Sequence, residues 1–290
     1  MLDSRTVYKG RVDAALMYIH EHMGEELDLG QLASVGGFSP YHFLRIFSAV
    51  VGETPQQFII RVRLERAANL LVKRTEDSIT QIAIHCGFSS SAAFARSFKK
   101  RFGISANEYR QAVIKPMAPG VFPAKLDLEA LPQIKPEIRN LPALNLLTIS
   151  SLNGYRMELI CKAWNQLYGW ASARDLITPN SLMLGISLDD PLITAPEKCR
   201  YYACISIDQM IEPQTPVGFM RVEAAKYVVA RVTCTGEQIQ GVYMYLYRHW
   251  LLDSGYQPAD LPPFEVYLDT PEHHPEGKFL IDVYIPIVPL

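Results

Sequence analysis

The stretch GFSPYHFLRIF (37–47) recurs about fifty residues later as GFSSSAAFARSF (87–98). The similarity extends backwards, because LDLGQLASVGGFS (27–39) matches DSITQIAIHCGFS (77–89). Each copy predicts a short amphipathic helix that ends in glycine, which can adopt a positive φ in a turn, and then a serine that can cap the next helix. These are the parts of a helix-turn-helix, so the sequence predicts this motif twice.

The second helix of each copy has an apolar face and a polar face. Phe43 and Phe47 have the spacing of a buried stripe, and Phe43 matches Phe94 after a one-residue shift in the turn. The opposite face carries Arg45 and Arg96 at equivalent positions, where a helix in the major groove needs its base-contacting side chains. A solvated helix face is the alternative for either arginine alone, and the repetition favours DNA reading by both.

Basic charge is concentrated in the same half of the chain. Residues 1–115 carry 15 Lys and Arg against 11 Asp and Glu, whereas residues 116–290 carry 13 against 19. The segment RSFKKRFG (96–103) indicates a polyanion contact. Its basic residues are Arg96, Lys99, Lys100 and Arg101.

A long helix is predicted between the two motifs. Thr54 can cap it, Pro55 can start it, and its apolar positions continue to about Arg74. About 19 residues at 1.5 Å each form a rod of about 28 Å, close to the roughly 34 Å of one DNA turn. Such a spacer would place two reading helices in successive major grooves, so a single chain would read an asymmetric site.

Residues 8 to about 112 resemble the AraC/XylS type of transcription regulator in their paired motifs, their linker helix and the ending FGISANEYR (102–110). The resemblance implies an all-α domain and RNA polymerase as a partner in activation. Ser91 and Ala92 cannot make bidentate contacts to adenine, so we expect weaker base discrimination from the second reading helix. The implied base-contacting residues are Tyr41, Leu44, Arg45, Ser91, Ala92 and Arg96, and the implied DNA-backbone contacts are Arg61 and Lys99. From the basic segment we also expect Lys100 and Arg101 to contact the DNA backbone.

Five prolines follow the second motif between Ala112 and Asn140, which predicts a partly extended linker. We therefore expect a DNA-binding domain over 8–112, a linker over 113–134 and an effector-binding domain over 135–290. Within the last domain, the segment 146–177 and its following strands are repeated by 227–257 and its following strands. The repeat predicts an α+β domain in which two strand-helix-strand-strand units form one antiparallel sheet with both helices on one face.

The duplicated domain should leave a groove where its halves meet. The segment PPFEVYLD places Glu265 inside a strand, and strand alternation puts it on the same face as Tyr267. A carboxylate beside aromatic rings can neutralise a cation, although a solvated strand glutamate is the alternative. The aromatic residues available to line the groove are Tyr155, Trp164, Trp170, Tyr201, Tyr202, Tyr227, Tyr243, Trp250 and Tyr267.

Residues 135–290 resemble the GyrI-like domains of multidrug-binding regulators in the segments GYRMELICKAW, CRYYACISI, WLLDSGY, FEVYLDTP and DVYIPI. The resemblance implies that a strand glutamate, here Glu265, receives lipophilic and often cationic molecules. The order of the two domains resembles the Rob-like branch of the AraC group. The expected ligand-binding residues are Glu265, Tyr267, Trp170, Tyr227 and Tyr155.

We therefore expect a transcription regulator that binds double-stranded DNA and a hydrophobic effector and is not an enzyme. Two alternatives for the second domain remain, a hydrolase of reactive small molecules in which Glu265 activates water, and a protein-interaction module with an empty groove.

No cofactor or metal site is expected, because the five cysteines form no C-x-x-C pair and indicate reduced, mostly buried thiols that all serve in packing. No stretch approaches the roughly 20 apolar residues of a membrane span and no signal-peptide core is evident, so we expect a cytoplasmic protein without membrane contact.

Overall fold

The structure is a computed structural model, and it describes residues 4–114, 131–152, 154–190, 193–208, 211 and 214–290. The chain divides into two compact units. One consists of Met1–Pro123 and Leu192–Thr194, and the other of Ala124–Pro191 and Ala195–Leu290. Most of the predicted linker over 113–134 lies outside the described residues.

The first unit is helical, as predicted. Each helix-turn-helix motif consists of a short helix, a turn and a longer reading helix, namely α2 with α3 and α5 with α6. The helices are α1 (Ser4–Glu21), α2 (Leu29–Val35), α3 (Pro40–Val51), α4 (Pro55–Lys73), α5 (Ile79–His85), α6 (Ser91–Phe102) and α7 (Ala106–Ile114).

Local sequence signals set the ends of these helices. The Ser39 side chain accepts a hydrogen bond from the backbone N–H of His42 at the start of α3, and Thr54 caps α4 ahead of Pro55. In the second motif the capping residue of α6 is Ser90 rather than Ser89, because the turn is one residue longer. The turn glycines Gly37 and Gly87 have φ values of +67° and +80°, which glycine adopts readily.

The internal repeat is larger than the sequence indicated. Both α1 and α4 bury residues at i, i+3, i+4 and i+7, so each motif is a three-helix unit that begins with a long helix. The equivalent buried residues are Val12, Ala15, Leu16 and Ile19 in α1, and Leu64, Ala67, Ala68 and Leu71 in α4. The linker helix is therefore also the first helix of the second unit.

The second unit is an antiparallel sheet with two helices, α8 (Met157–Ser172) and α9 (Gly236–Tyr245), as predicted. The strands lie in the order β1-β6-β9-β8-β3-β4-β2-β5, and β7 pairs with β9. The strands are β1 (Pro136–Leu141), β2 (Leu144–Ser151), β3 (Met183–Ser187), β4 (Tyr201–Ile207), β5 (Gly218–Val222), β6 (Ala225–Cys234), β7 (Tyr256–Pro258), β8 (Phe264–Asp269) and β9 (Phe279–Pro289).

Both helices cover the same face of this sheet. Leu167 of α8 packs in one cluster with Ala203, and Val242 of α9 packs in another with Val283. Ala203 and Val283 lie in one cross-strand row, which places their side chains on one face. The two halves of the repeat meet where β3 pairs with β8. Four of the five cysteines are buried, as predicted, but Cys161 on α8 is exposed, so the expectation that all five serve in packing was wrong for Cys161.

Candidate nucleic-acid interface and small-molecule site

The first reading helix, α3, presents the residues predicted to contact bases. Phe43 and Phe47 are fully buried against the core, so the opposite face of α3 projects outwards. On that face Tyr41 is 61% exposed and Leu44 is 39% exposed. The guanidinium carbon of Arg45 lies 4.5 Å from the centre of the Tyr41 ring. This cation–π contact orients Arg45 while leaving it exposed.

The second reading helix, α6, is arranged in the same way but carries smaller side chains. Phe94 and Phe98 are fully buried, and the exposed face carries Ser91, Ala92 and Arg96. Arg96 is thus placed on α6 as Arg45 is on α3. The basic residues Lys99 and Lys100 are also exposed, in the last turn of this helix.

The structure corrects the role expected for Arg61. Its side chain is buried, and its guanidinium group pairs with Glu53 at 2.8 Å and Glu65 at 2.9 Å. A phosphate could not reach this enclosed group, so Arg61 is not placed as a DNA-backbone contact. Arg101 is also engaged within the unit, because its Nη2 lies 3.3 Å from a carboxylate oxygen of Glu65.

Glu265 occupies the centre of the helix-covered face of the sheet. Its neighbours in the row are Gly185 on β3 and Val283 on β9, with Ala203 and Ala230 beyond them. These small side chains leave room beside the carboxyl group. A Cβ atom at Gly185 would lie 2.9 Å from Oε2 of Glu265 and would also collide with the hydroxyl of Tyr201.

Hydrogen bonds organise the polar groups around Glu265. Tyr243 of α9 donates to Oε1 of Glu265 at 2.7 Å. Trp164 of α8 donates through Nε1 to the Tyr201 hydroxyl at 3.0 Å, and Tyr201 donates to the Tyr267 hydroxyl at 3.3 Å. Oε2 of Glu265 is buried and has no hydrogen-bond partner among the described residues. An acceptor in this state can receive a donor or a cation from a ligand.

The electrostatics of the site follow from its burial. Glu265 is only 3% exposed. Desolvation raises the pKa of Glu265 to about 7, and the hydrogen bond from Tyr243 opposes this shift. Desolvation also raises the pKa of Tyr201 and of Tyr243 well above the ordinary value, so both remain neutral hydroxyls. Glu265 is therefore the group in this cluster that titrates near neutral pH.

Of the ligand-binding residues predicted, the structure brings together Glu265 and Tyr267, which share a face. Tyr227 lies on the opposite face of the sheet, where its ring contacts Phe264 and Tyr284, so placing it with Glu265 was wrong. Trp170 packs under Arg174.

The Tyr155 hydroxyl is engaged in hydrogen bonds with the backbone of Asp189. Neither Trp170 nor Tyr155 has a described contact with Glu265.

Three residues beside Glu265 were named as available to line the groove but were not among the expected ligand-binding residues. They are Trp164, Tyr201 and Tyr243. The signal available for Trp164 was its helical spacing, because it lies beside the apolar positions of α8 that face the sheet. Within the described ranges, no group of three His, Cys, Asp or Glu side chains is placed to hold a metal ion. None of the helices described is both long and apolar enough to cross a membrane.

Comparison with protein families separates the two domains. Residues 134–288 match the model of the GyrI-like small molecule binding domain, and residues 32–112 match a helix-turn-helix domain model of the AraC type. The first match covers more than half of the chain. The chain belongs to the GyrI-like family. In this GyrI-like protein the ligand-binding domain follows an AraC-type helix-turn-helix domain, which confirms both resemblances.

The curated relatives share one part of this GyrI-like protein. An HTH-type transcriptional regulator of Mycobacterium tuberculosis is 43% identical over 84 residues, which are 29% of this chain and 32% of the relative. The transcriptional activator RhaS of Escherichia coli O157:H7 is 34% identical over 101 residues, or 35% and 36% of the two chains. The chain thus spans about a third of the length of these relatives.

Two solved structures each match a part of the chain. The DNA-binding domain of AdpA, solved with a target DNA, is 28% identical, covers 37% of this GyrI-like protein and 98% of that chain, and gives a TM-score of 0.35. The C-terminal domain of EcmrR is 12% identical, covers 54% and 99% of the two chains, and gives a TM-score of 0.45.

Proposed function

We propose that the protein is a transcription activator that reads an asymmetric DNA site through α3 and α6 and responds to a lipophilic small molecule, cations included. The observation that carries the proposal is the equivalent exposure of Arg45 and Arg96 on two reading helices of one chain. Each helix buries two phenylalanines on its inner face, so its outer face is rigidly presented.

The two helices would read different sequences. On α3, Tyr41 and Leu44 provide apolar contact for a thymine methyl, and Arg45 provides paired N–H donors that suit the acceptors of guanine. On α6, Ser91 and Ala92 are short, so Arg96 and the phosphate contacts of Lys99 would carry more of the binding. A site read by two unlike helices of one chain needs no palindrome.

Glu265 would receive the effector. A buried carboxyl group with one oxygen unpartnered within the described residues supports a ligand that brings either a positive charge or a hydrogen-bond donor. The rings of Trp164, Tyr201 and Tyr267 would contact its apolar part. RNA polymerase is the proposed partner, supported by a relative that is named a transcriptional activator.

Selection of bound sequences from random duplexes, followed by affinity measurements, tests the DNA-binding proposal. We expect Arg45→Ala to lose about 1–3 kcal/mol of binding free energy and to relax the preference at one base position. Lys99→Ala should weaken binding to all sequences alike and reduce the slope of affinity against salt concentration. Equal losses on selected and random duplexes for both variants would contradict the assignment of Arg45 to base reading.

A further inference from the structure

The guanidinium group of Arg63 joins the two three-helix units of the DNA-binding domain. Arg63 lies on α4, and its Nε donates to the carbonyl of Met23 at 2.9 Å. Its Nη1 donates to the carbonyl of Gly87 at 2.7 Å, and its Nη2 donates to the carbonyl of Glu25. Met23 and Glu25 lie in the turn between α1 and α2, whereas Gly87 is the turn glycine of the second motif. One side chain therefore forms hydrogen bonds with the backbone of both motifs.

The backbone is packed closely around this group. A Cβ atom at Gly87 would lie 2.7 Å from Cζ of Arg63 and 2.6 Å from the carbonyl oxygen of Met23. The equivalent glycine of the first motif, Gly37, also has a positive φ, but a Cβ there would come no closer than 3.9 Å to Arg11. The crowding is therefore specific to the second turn, where the two motifs meet.

We propose that Arg63 is a positioning residue that sets the distance between the reading helices α3 and α6, and thereby the spacing of the two half-sites that the protein accepts. The proposal rests on the proposed function. The geometry of the side chain supports this role, because a guanidinium group presents several N–H donors in one rigid plane and can bind three carbonyls at once. A lysine at this position keeps the charge but cannot reproduce that geometry.

The hydrogen bonds described for Arg63 are all accepted by backbone carbonyls. They therefore constrain the main chain of both motifs directly and do not depend on a second side chain. Arg61 and Glu65 lie on the same helix, but they pair with carboxylate and guanidinium side chains instead. Arg63 is thus the position on α4 at which a conservative change would loosen the two motifs without removing a buried charge pair.

The test uses the full chain and three duplexes: the selected site, the same site with one base pair inserted between its halves, and a duplex with one half-site only. We expect the wild type to lose affinity strongly on insertion. Arg63→Lys should bind the full site about tenfold more weakly, within the usual range of coupling between two sites. It should bind the half-site like the wild type and discriminate less against the insertion.

Arg74→Lys is the matched control, because Arg74 is a cation at the end of the same helix whose only described ion pair is a loose one with Asp77 at 3.7 Å. Gly87→Ala and Gly37→Ala form a second pair, since both add strain at a positive φ but only Gly87→Ala displaces Arg63. Thermal unfolding shows whether each variant is folded.

Three results are decisive. Loss of spacing discrimination in Arg63→Lys and Gly87→Ala, but not in their controls, supports the proposal. Unchanged discrimination in folded Arg63→Lys overturns it while leaving the proposed function intact. A wild type that binds the inserted site and the half-site as well as the full site overturns the reading of DNA by two helices, and with it this inference.

Discussion

Burial raises the pKa of Glu265 to about 7, so this carboxyl group changes its charge near neutral pH. Since the pKa is raised, the group is mainly neutral below pH 7 and mainly ionised above it. Cation affinity should therefore increase by roughly tenfold between pH 6 and pH 8, in proportion to the ionised fraction. Fluorescence titration with tetraphenylphosphonium at both pH values measures this change.

The matching variant is Glu265→Gln, which keeps the shape and the acceptor for Tyr243 but removes the charge. It should bind tetraphenylphosphonium weakly at both pH values and bind neutral triphenylphosphine oxide like the wild type. Glu223→Gln, which removes an exposed carboxylate paired with Arg221, is the control. An unchanged ratio of the two affinities in Glu265→Gln would show that Glu265 does not contact the ligand.

At the residue scale, the sequence indicated Glu265 because a glutamate between apolar neighbours in a strand is unusual. It named Tyr243 and Tyr201 as available to the groove but could not indicate them as partners. Tyr243 reaches Glu265 only through the packing of α9 on the sheet, and Tyr201 lies on β4, two strands away from Glu265. Tyr227 was misplaced for a related reason. Its segment, YVVARV, is apolar at nearly every position, and a strand buried on both faces carries no alternation from which the face of a residue can be inferred.

At the scale of elements, α4 carries a buried ion-pair network beside its apolar face. Arg61 pairs with Glu53 and Glu65, and all three side chains are less than a tenth exposed. Arg61→Met leaves two buried carboxylates with less compensation, so we expect it to lower the free energy of unfolding of the DNA-binding domain by about 3–5 kcal/mol. Urea unfolding followed by the helical circular dichroism signal measures the loss.

Arg74→Met provides the comparison, because the Arg74–Asp77 pair is partly exposed and should contribute no more than about 1 kcal/mol. Restoring neutrality with Glu53→Gln in the Arg61→Met background should recover part of the loss. If Arg61→Met costs no more than Arg74→Met, the buried network does not stabilise α4.

The elements themselves were largely predictable. The starts of α3 and α4 follow from Ser39, Thr54 and Pro55, because a capping residue or a first-turn proline affects only backbone groups within one helical turn. The burial of Arg61 was not predictable, because the resemblance to a family gives the position of a residue but not its partners. Its enclosure requires Glu53 from the preceding turn and Glu65 one helical turn later, and both are ordinary polar residues in the sequence.

At the scale of the whole molecule, the proposed function assigns effector and DNA to different domains, so regulation would require that each ligand changes the affinity for the other. Thermodynamic linkage makes this change reciprocal. If tetraphenylphosphonium raises the affinity for the selected duplex by a given factor, that duplex must raise the affinity for the cation by the same factor. We expect a factor of about 5 to 150, the usual range for coupled sites.

Titrating each ligand in the absence and in the presence of saturating amounts of the other measures both factors. Lys99→Ala should weaken DNA binding and leave the factor unchanged, because it removes a phosphate contact and not the communication between domains. Glu265→Gln should abolish the effect of the cation because the cation no longer binds tightly. A wild type that binds the cation through Glu265 but shows a factor of one would still bind both ligands, and the GyrI-like domain would then not regulate DNA binding through affinity.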